Sequence, residues 1–318
     1  MKRLSVLGAG AFGTALALMY SSKFKVRLFS WFEDHVASMR RTRVNEFLSD
    51  HTIDGSIDIE VSSNMVRGEA DYILWAFPLK PTISLLEALS DKLDGATIVL
   101  CSKGLLPDGK LLSDAFIKLV PNSKVGYLAG PNFAGDIAAG RMSAADILFS
   151  DHDYAVAMSR ELSTGSLKLN PSSDVIGAQI CGAMKNVIAI ACGIAVGLSP
   201  SPNTNAALIT FGLREMRNLG IAANAEESTF YGLCGIGDLI LTAFNEESRN
   251  FTFGKRIANG ESAEEIMACL NAACEGYYTA QHVVTLAKKH SVEVPICEAV
   301  CKILFEHAPP DTILNAFR

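Results

Sequence analysis

One lysine lies in the middle of a long apolar stretch of the sequence. Residues 176–198 contain a single charged side chain, that of Lys185. Burial among Ile, Ala and Cys side chains disfavours the charged form of an amine, so such a lysine can donate and accept a proton near neutral pH. Lys185 is therefore the candidate acid–base group, and the alternative is a lysine that reaches the surface along its own methylene groups.

Two further segments carry polar side chains that could complete a site around this lysine. Asp238 and Thr242 lie four residues apart in an apolar run, which places them on one face of a helix that could meet Lys185. The motif SRN at 248–250 offers a guanidinium fork and an amide suited to a phosphate group. Taken alone, an Arg-Asn pair is more often an ordinary surface feature.

A glycine motif of the form GxGxxG lies near the N-terminus, between an apolar strand candidate and a helix candidate. Gly8 permits a tight turn, Gly10 lets the backbone approach a pyrophosphate, and Gly13 lets the helix pack closely on the strand. The intervening Ala11 and Phe12 belong to the same turn. Because the strand and helix context is the required one, the motif predicts a dinucleotide site.

The end of the second predicted strand should decide which dinucleotide is preferred. An acidic residue there would hold the ribose 2′-hydroxyl, and an arginine would accept a 2′-phosphate. Glu33 has the required spacing, although it could equally cap the next helix. Arg40, Arg41 and Arg43 could offer phosphate contacts or form a solvated face. This region therefore leaves the choice between NAD and NADP open.

The elements that must position these residues fall into two parts. Apolar strands alternate with helices up to about residue 172, which predicts a parallel sheet covered on both faces. Strands are predicted at 3–7, 26–29, 72–76, 97–102, 125–129, 146–150 and 167–169, and helices at 82–93 and 111–120. The sequence after residue 172 is predicted to form successive helices. The predicted class is α/β, with a Rossmann-type dinucleotide-binding domain at 1–172 and an all-α substrate and catalytic domain at 173–318.

Composition narrows the functional classes. The 318 residues carry a net charge of -6, which offers nucleic acid no general attraction. The eight cysteines form no CxxC pair and the six histidines lie in no ligand motif, so we expect reduced thiols and no metal site. The glycine motif argues against a signal peptide at the N-terminus, and the charge of Lys185 argues against a membrane span at 176–198. We expect a cytoplasmic protein.

Eight short motifs occur along the chain in an order that carries a resemblance. They are GAGAFGTALA at 8–17, SKG at 102–104, GPNFA at 130–134, KNVIA at 185–189, NAALIT at 205–210, GDL at 237–239, SRN at 248–250 and EG at 275–276. Together they resemble the bacterial NAD(P)-dependent glycerol-3-phosphate dehydrogenases, over nearly the whole chain. The order of the motifs makes the resemblance specific.

The resemblance implies roles for individual residues. Lys185 would accept a proton in oxidation and donate it in reduction, Lys103 would polarise the carbonyl, and Asp238 would orient the ammonium groups. The residues implied at the substrate are Lys103, Gly130, Asn132, Asn186, Asp238, Thr242, Ser248, Arg249 and Asn250. Those implied at the cofactor are Gly8, Gly10, Ala11, Phe12, Gly13, Trp31, Lys103, Ala134, Arg249, Ala273 and Glu275.

Three positions depart from the family pattern. Trp31 stands where an arginine is common, which weakens an inference of NADP preference. Asn132 stands where Ser or Thr is usual, and Ala273 where Val is usual. These two replacements keep the polar or apolar character of the position, so they bear on affinity more than on activity.

The resemblance implies dihydroxyacetone phosphate and glycerol 3-phosphate as substrates, NAD or NADP as cofactor, and a homodimer that supplies glycerol 3-phosphate for glycerophospholipid synthesis. Two alternatives are a related hydroxy-acid dehydrogenase and a non-catalytic dinucleotide-binding redox regulator. The first would need an arginine placed for a carboxylate and a different lysine motif. The second would not need the acid–base lysine.

Overall fold

A computed structural model describes residues 1–199, 201–270 and 274–316. The chain divides into two compact units. We call Met1–Ser102, Ser113–Leu128 and Asn132–Val175 the sheet unit. We call Lys103–Leu112, Ala129–Pro131 and the described part of Ile176–Arg318 the helical unit. Two short segments from the first half of the sequence therefore pack with the helical unit.

The sheet unit contains eight strands in the order β3-β2-β1-β4-β5-β6-β7-β8. The strands are β1 (Arg3–Leu7), β2 (Lys25–Ser30), β3 (Asp58–Val61), β4 (Tyr72–Trp75), β5 (Thr97–Leu100), β6 (Lys124–Ala129), β7 (Ser143–Phe149) and β8 (Leu167–Ser172). Six pairs of neighbouring strands are parallel. They are the five successive pairs from β3 to β6 in this order, together with the pair β7 and β8. All residues of β4 are buried, as expected for a strand covered on both faces.

Helices alternate with these strands along the sequence. They are α1 (Ala11–Tyr20), α2 (Glu33–Thr42), α3 (Thr82–Leu93), α4 (Leu112–Leu119), α5 (Ala134–Ala138) and α6 (His152–Leu162). The α/β class with a Rossmann-type sheet is confirmed. The strand β3 was not predicted because it is short and half polar, with the sequence DIEV, and lies at the end of the strand order.

The helical unit contains the remaining helices. They are α7 (Val175–Leu198), α8 (Pro202–Ala222), α9 (Asp238–Ala243), α10 (Arg249–Ala258), α11 (Ala263–Cys269), α12 (Glu275–Lys289), α13 (Pro295–Phe305) and α14 (Thr312–Asn315). By length and composition α7 could cross a membrane, yet most of it is buried in the structure. Residues such as Ile188 and Ile190 are fully inaccessible in the hydrophobic core of this unit.

Two glycines let α7 and α10 cross with their backbones in contact. A Cβ atom on Gly193 would lie 2.0 Å from the carbonyl oxygen of Phe251, and one on Gly254 would lie 2.2 Å from that of Ile190. These distances are far below van der Waals contact, so no larger residue fits without a shift of the backbone. The crossing therefore depends on glycine at both positions.

We predict that Gly193→Ala and Gly254→Ala each lower the free energy of unfolding by about 1–3 kcal/mol, because the added methyl group overpacks the crossing. The matched control is Gly135→Ala, since Gly135 is also helical but a Cβ atom there would have no neighbour within 4 Å. That change should be neutral or stabilising by up to about 1 kcal/mol. Denaturant unfolding measures all three variants. Similar losses in the free energy of unfolding at the three sites would contradict the conclusion that the crossing depends on glycine.

Candidate active site

The ammonium group of Lys185 is held inside the helical unit by α9. Lys185 is only 5% exposed, so it does not reach the surface as the alternative interpretation required. Its Nζ donates to Asp238 Oδ1 at 2.6 Å and to Thr242 Oγ1 at 2.9 Å. The predicted pairing of α7 with the Asp238–Thr242 face of α9 is therefore present in the structure.

The start of α9 is set by a tight turn at Leu233–Gly237, which has π-helical hydrogen bonding. A Cβ atom on Gly235 would lie 2.3 Å from the carbonyl oxygen of Phe230, so this turn needs glycine. Asp238 follows in the first turn of α9, where the helix dipole favours a carboxylate. The Thr242 hydroxyl donates to the Asp238 carbonyl oxygen at 2.7 Å, which leaves it as an acceptor for the lysine.

Lys103 reaches the other oxygen of the same carboxylate. Its Nζ donates to Asp238 Oδ2 at 2.8 Å and approaches the Gly130 carbonyl oxygen at 3.5 Å. The segment Lys103–Leu112 is fixed to α12, since His282 Nδ1 lies 2.8 Å from the Leu105 carbonyl oxygen and can donate to it. Both lysines and the carboxylate between them therefore belong to one compact unit.

The charges of Lys103, Asp238 and Lys185, which we call the triad, affect the pKa values of Lys185 and Asp238. Burial is the largest influence on Lys185 and lowers its pKa to about 7; Asp238 opposes that shift, and the like charge of Lys103 adds to it. Burial alone would raise the pKa of Asp238, but the two ammonium groups outweigh burial and hold that pKa below its ordinary value. Burial therefore makes Lys185 a group that can release its proton near neutral pH.

A second polar cluster joins α7, α10 and the start of α12. Asn250 Nδ2 donates to Asn186 Oδ1 at 2.9 Å, and Asn250 Oδ1 accepts from the Gly276 backbone N–H at 3.0 Å and the Cys274 thiol at 3.1 Å. Asn186 Nδ2 donates to the Gly182 carbonyl oxygen at 3.2 Å. Both asparagines therefore have protein partners and fix the geometry of three helices.

Two residues of the SRN motif have different environments. Ser248 is the N-cap of α10, and its hydroxyl accepts from the Phe251 N–H at 3.3 Å. Arg249, the first residue of α10, is exposed. Glu275 begins α12 and is partly buried. A small cavity of about 140 Å³ is lined by Arg249, among others.

The glycine motif of the sheet unit forms a cradle of bare backbone. Gly8 has φ of 113°, and its Cβ would lie 2.5 Å from the Phe77 backbone nitrogen; a Cβ on Gly13 would lie 1.9 Å from the Gly8 carbonyl oxygen. By contrast, nothing lies within 4 Å of a Cβ built on Gly10. Gly10 precedes α1, whose first turn has no acidic residue and no side-chain cap. The open amide end of α1 therefore fits a pyrophosphate.

A buried asparagine that the sequence did not reveal supports this cradle. Asn45 is fully buried, and its Nδ2 donates to the Ala9 carbonyl oxygen at 2.9 Å and to Thr14 Oγ1 at 2.6 Å. It lies more than thirty residues from the glycine motif in sequence, as the separation of 36 from Ala9 shows. No periodicity or local motif marks it, so only the folded chain identifies it.

Three further predicted site residues, Trp31, Asn132 and Ala134, belong to the sheet unit. Trp31 follows β2 and is 40% exposed, and Ala134 begins α5. Asn132 Nδ2 donates to the Ala144 carbonyl oxygen at 3.2 Å, whereas its buried Oδ1 has no hydrogen-bond partner within the described residues. Ala273 lies outside the described residues.

Family models cover almost all of the chain. Residues 3–155 match the model described as NAD-dependent glycerol-3-phosphate dehydrogenase N-terminus, and residues 174–315 match the C-terminus model of the same family. The chain belongs to the NAD-dependent glycerol-3-phosphate dehydrogenase family. The resemblance drawn from the motifs is thereby confirmed.

Individual relatives of this glycerol-3-phosphate dehydrogenase family agree along their full length. The chain is 38% identical to a glycerol-3-phosphate dehydrogenase [NAD(P)+] of Thiobacillus denitrificans, over 98% of both chains. It is 37% identical to one of Francisella tularensis, over 99% of this chain and 96% of the relative. A solved glycerol-3-phosphate dehydrogenase from Coxiella burnetii superposes with a TM-score of 0.94 at 30% identity, covering 99% and 98% of the two chains.

More distant neighbours share only the fold of the glycerol-3-phosphate dehydrogenase family. A D-mandelate dehydrogenase in complex with NADH has a TM-score of 0.65 but 16% identity. Similarity at that level does not support the hydroxy-acid alternative. The closer comparisons all favour the main interpretation of the sequence.

We predict that Asp238→Asn lowers the free energy of unfolding by about 3 kcal/mol at neutral pH, because it leaves two ammonium groups without a buried counter-charge. A carboxylate with a depressed pKa stabilises the fold above its unfolded pKa, so the wild-type contribution is fully present at that pH. The loss should shrink as the pH rises and Lys185 becomes neutral.

Denaturant unfolding measures this loss, and two control variants separate the effect of charge from that of shape. Thr242→Val removes one hydrogen-bond partner of Lys185 and should cost only about 1 kcal/mol. Glu246→Gln breaks an exposed pair with Lys255 and should leave stability unchanged. If Asp238→Asn lowered the free energy of unfolding no more than Thr242→Val does, the shared carboxylate would not hold the site together.

Proposed function

We propose that this chain catalyses the reversible reduction of dihydroxyacetone phosphate to glycerol 3-phosphate with NADH or NADPH. The observation that carries the proposal is the Lys103–Asp238–Lys185 triad, found in a member of the glycerol-3-phosphate dehydrogenase family. A carbonyl reduction requires a proton for the oxygen and stabilisation of its developing charge. Two lysines on one buried carboxylate can provide both.

The two lysines have different roles in the proposal. The bound dinucleotide supplies a hydride to the carbonyl carbon in reduction and receives it in oxidation. Lys185, the more buried lysine and the one whose pKa is near 7, donates its proton to the oxygen in reduction and accepts it in oxidation. Lys103 stabilises negative charge on the oxygen, and Asp238 holds both side chains in place.

Arg249 is the candidate group for the substrate phosphate. It is an exposed guanidinium at the start of α10, and the adjacent Asn250 ties that end of the helix to Asn186 on the helix of Lys185. Among the described residues, each of these amides makes one donor bond, and its second N–H could reach the substrate. Ser248, Gly130, Asn132 and Thr242 complete the proposed substrate set.

The glycine cradle of the sheet unit is the proposed pyrophosphate site, formed by Gly8, Gly10, Ala11, Phe12 and Gly13. The remaining proposed cofactor contacts are Trp31, Lys103, Ala134, Arg249, Ala273 and Glu275. We further propose that 1–172 is the dinucleotide-binding domain and 173–318 the substrate and catalytic domain. The family also favours a cytoplasmic homodimer whose product serves glycerophospholipid synthesis.

The direct test follows the ultraviolet absorbance of reduced nicotinamide with dihydroxyacetone phosphate as substrate. Lys185→Ala should lower kcat by about 10²- to 10⁴-fold while dinucleotide affinity persists. In the wild type, kcat/KM for reduction should fall as the pH rises through about 7, because the proton donor is lost, and kcat/KM for oxidation should rise. Activity retained by Lys185→Ala would overturn this assignment. So would a kcat/KM that changes with pH in the same direction for reduction and for oxidation.

A second test concerns the phosphate. Arg249→Ala should raise the KM for dihydroxyacetone phosphate by roughly 10- to 100-fold, because a charge-assisted hydrogen bond is lost. The same variant should leave unchanged any turnover of dihydroxyacetone, which has no phosphate, that the wild type shows. Arg256→Ala is the matched control on the same helix, since Arg256 pairs with Glu261. An unaltered KM in Arg249→Ala would mean that another group holds the phosphate.

A further inference from the structure

Lys103 lies at the beginning of a short segment of the helical unit that closes on itself. We call this segment, Lys103–Leu112, the strap. The Leu106 N–H donates to the Lys110 carbonyl oxygen at 2.9 Å, and Gly109 has a φ of 68° in the turn between them. The backbone of Lys103 is therefore placed by whatever holds this closed turn.

One face of α12 holds the strap. His282, Leu286 and Lys289 are spaced by four and three residues, so they lie along the same side of the helix. A Cβ atom on Gly109 would lie 2.8 Å from the Cβ atom and 3.0 Å from the Cα atom of Leu286, so the turn packs directly against the helix backbone. The Lys289 ammonium group donates to the Asp108 carbonyl oxygen at the exposed tip of the turn.

The third contact, made by His282, is the one nearest to Lys103 along the chain. His282 Nδ1 lies 2.8 Å from the carbonyl oxygen of Leu105, only two residues beyond Lys103. A carbonyl oxygen can only accept, so Nδ1 carries the hydrogen. Leu105 is fully buried in the core of the helical unit. Its carbonyl oxygen cannot turn to water if this donor is lost, so the strap would have to shift.

The same helix is also fixed to the helix that carries Lys185. The Gly276 N–H, at the start of α12, donates to Asn250 Oδ1 at 3.0 Å, and Asn250 donates to Asn186, the neighbour of Lys185 in sequence. Gly276 and His282 are six residues apart, or about 9 Å along the helix axis. One rigid helix is thus tied to the backbone beside both lysines.

We propose that His282 is a positioning residue, whose hydrogen bond to the strap holds Lys103 against Asp238 and at the substrate carbonyl. The inference rests on the proposed function, in which Lys103 stabilises charge on that oxygen. The partner of His282 is the strap backbone rather than a reacting atom, so its effect passes through Lys103. Misplacing a catalytic group by about 1 Å can cost about 10²-fold in rate.

A displaced Lys103 would also change the protonation of Lys185. Burial lowers the pKa of Lys185 to about 7; Asp238 opposes that shift, and the like charge of Lys103 adds to it. If the Lys103 ammonium group moves away, that last contribution is lost and the pKa of Lys185 rises. A residue that only stabilised the fold would leave this pKa unchanged.

The test replaces His282 with and without a hydrogen-bond donor. His282→Leu keeps a side chain of similar size, and kcat for reduction of dihydroxyacetone phosphate should fall by about 10- to 100-fold. The KM should change less than kcat, and the pH at which kcat/KM for reduction declines should move upward. His282→Asn should restore both properties, because its Nδ2 can donate from about the place of the imidazole Nδ1. Neither variant has an ionisable ring, so only the donor distinguishes them.

Two further variants show whether the effect passes through Lys103. Lys289→Met removes an exposed contact from the same face of α12 to the same strap and should keep kcat within about twofold of the wild type. In a Lys103→Met background, His282→Leu should change kcat by less than about twofold, because no ammonium group remains to be positioned. Denaturant unfolding checks that each variant is folded, and His282→Ala replaces His282→Leu if that variant is not.

A readout without turnover separates this inference from the proposed function. Lysine labelled with ¹³C at Cε reports the titration of Lys185 by NMR, and the signal is assigned by its loss in Lys185→Ala. Wild-type kcat and an unchanged Lys185 titration in the donor-free variant would overturn the positioning role and leave the dehydrogenase assignment intact. So would a full loss of kcat on adding His282→Leu to Lys103→Met. If the wild type did not reduce dihydroxyacetone phosphate, the assignment would be wrong, and a raised Lys185 titration in His282→Leu would still support the positioning role.

Discussion

The structure of the helical unit depends on one buried carboxylate. Asp238 is 1% exposed and accepts one ammonium group on each of its oxygens, from Lys103 and Lys185. An isolated carboxylate or ammonium group is costly to bury, and only the full set compensates the loss of hydration. Three separate parts of the chain must therefore meet at that carboxylate for any of them to be buried.

Close backbone packing makes this meeting possible. The turn before α9 needs Gly235, the crossing of α7 and α10 needs Gly193 and Gly254, and the start of α12 needs Gly276, whose Cβ would lie 2.7 Å from the Asn186 carbonyl oxygen. A hydrogen bond from Asn250 to Asn186 also joins α7 and α10. Small residues and a buried cluster of hydrogen-bonded asparagines thus fix the orientation of the helix that carries Lys185.

The sequence predicted those features that leave a local trace. A lone lysine in an apolar helix, an acid and a threonine four residues apart, and three glycines at a known spacing each identified part of a site. The role of Lys103 came only from the resemblance, because nothing local distinguishes it. That its segment packs on α12 through His282 depends on residues 177 positions apart. The hydrogen bonds of Arg40 and Arg43 depend on carbonyl oxygens in β3 and in the segment before it. Such contacts are set by tertiary packing and leave no pattern in the sequence.

A second buried carboxylate shows what the two lysines contribute. Glu215 on α8 accepts hydrogen bonds from the N–H groups of Ile296 and Cys297, at the start of α13, at 2.7 and 3.4 Å. Burial raises the pKa of Glu215 to about 7, and these backbone bonds only partly offset that shift. Asp238 is buried as deeply, yet its pKa is lowered, since full positive charges replace backbone dipoles. Depth of burial alone therefore does not decide the protonation of a buried acid: two ammonium groups keep Asp238 ionised, whereas burial brings the pKa of Glu215 close to neutral pH.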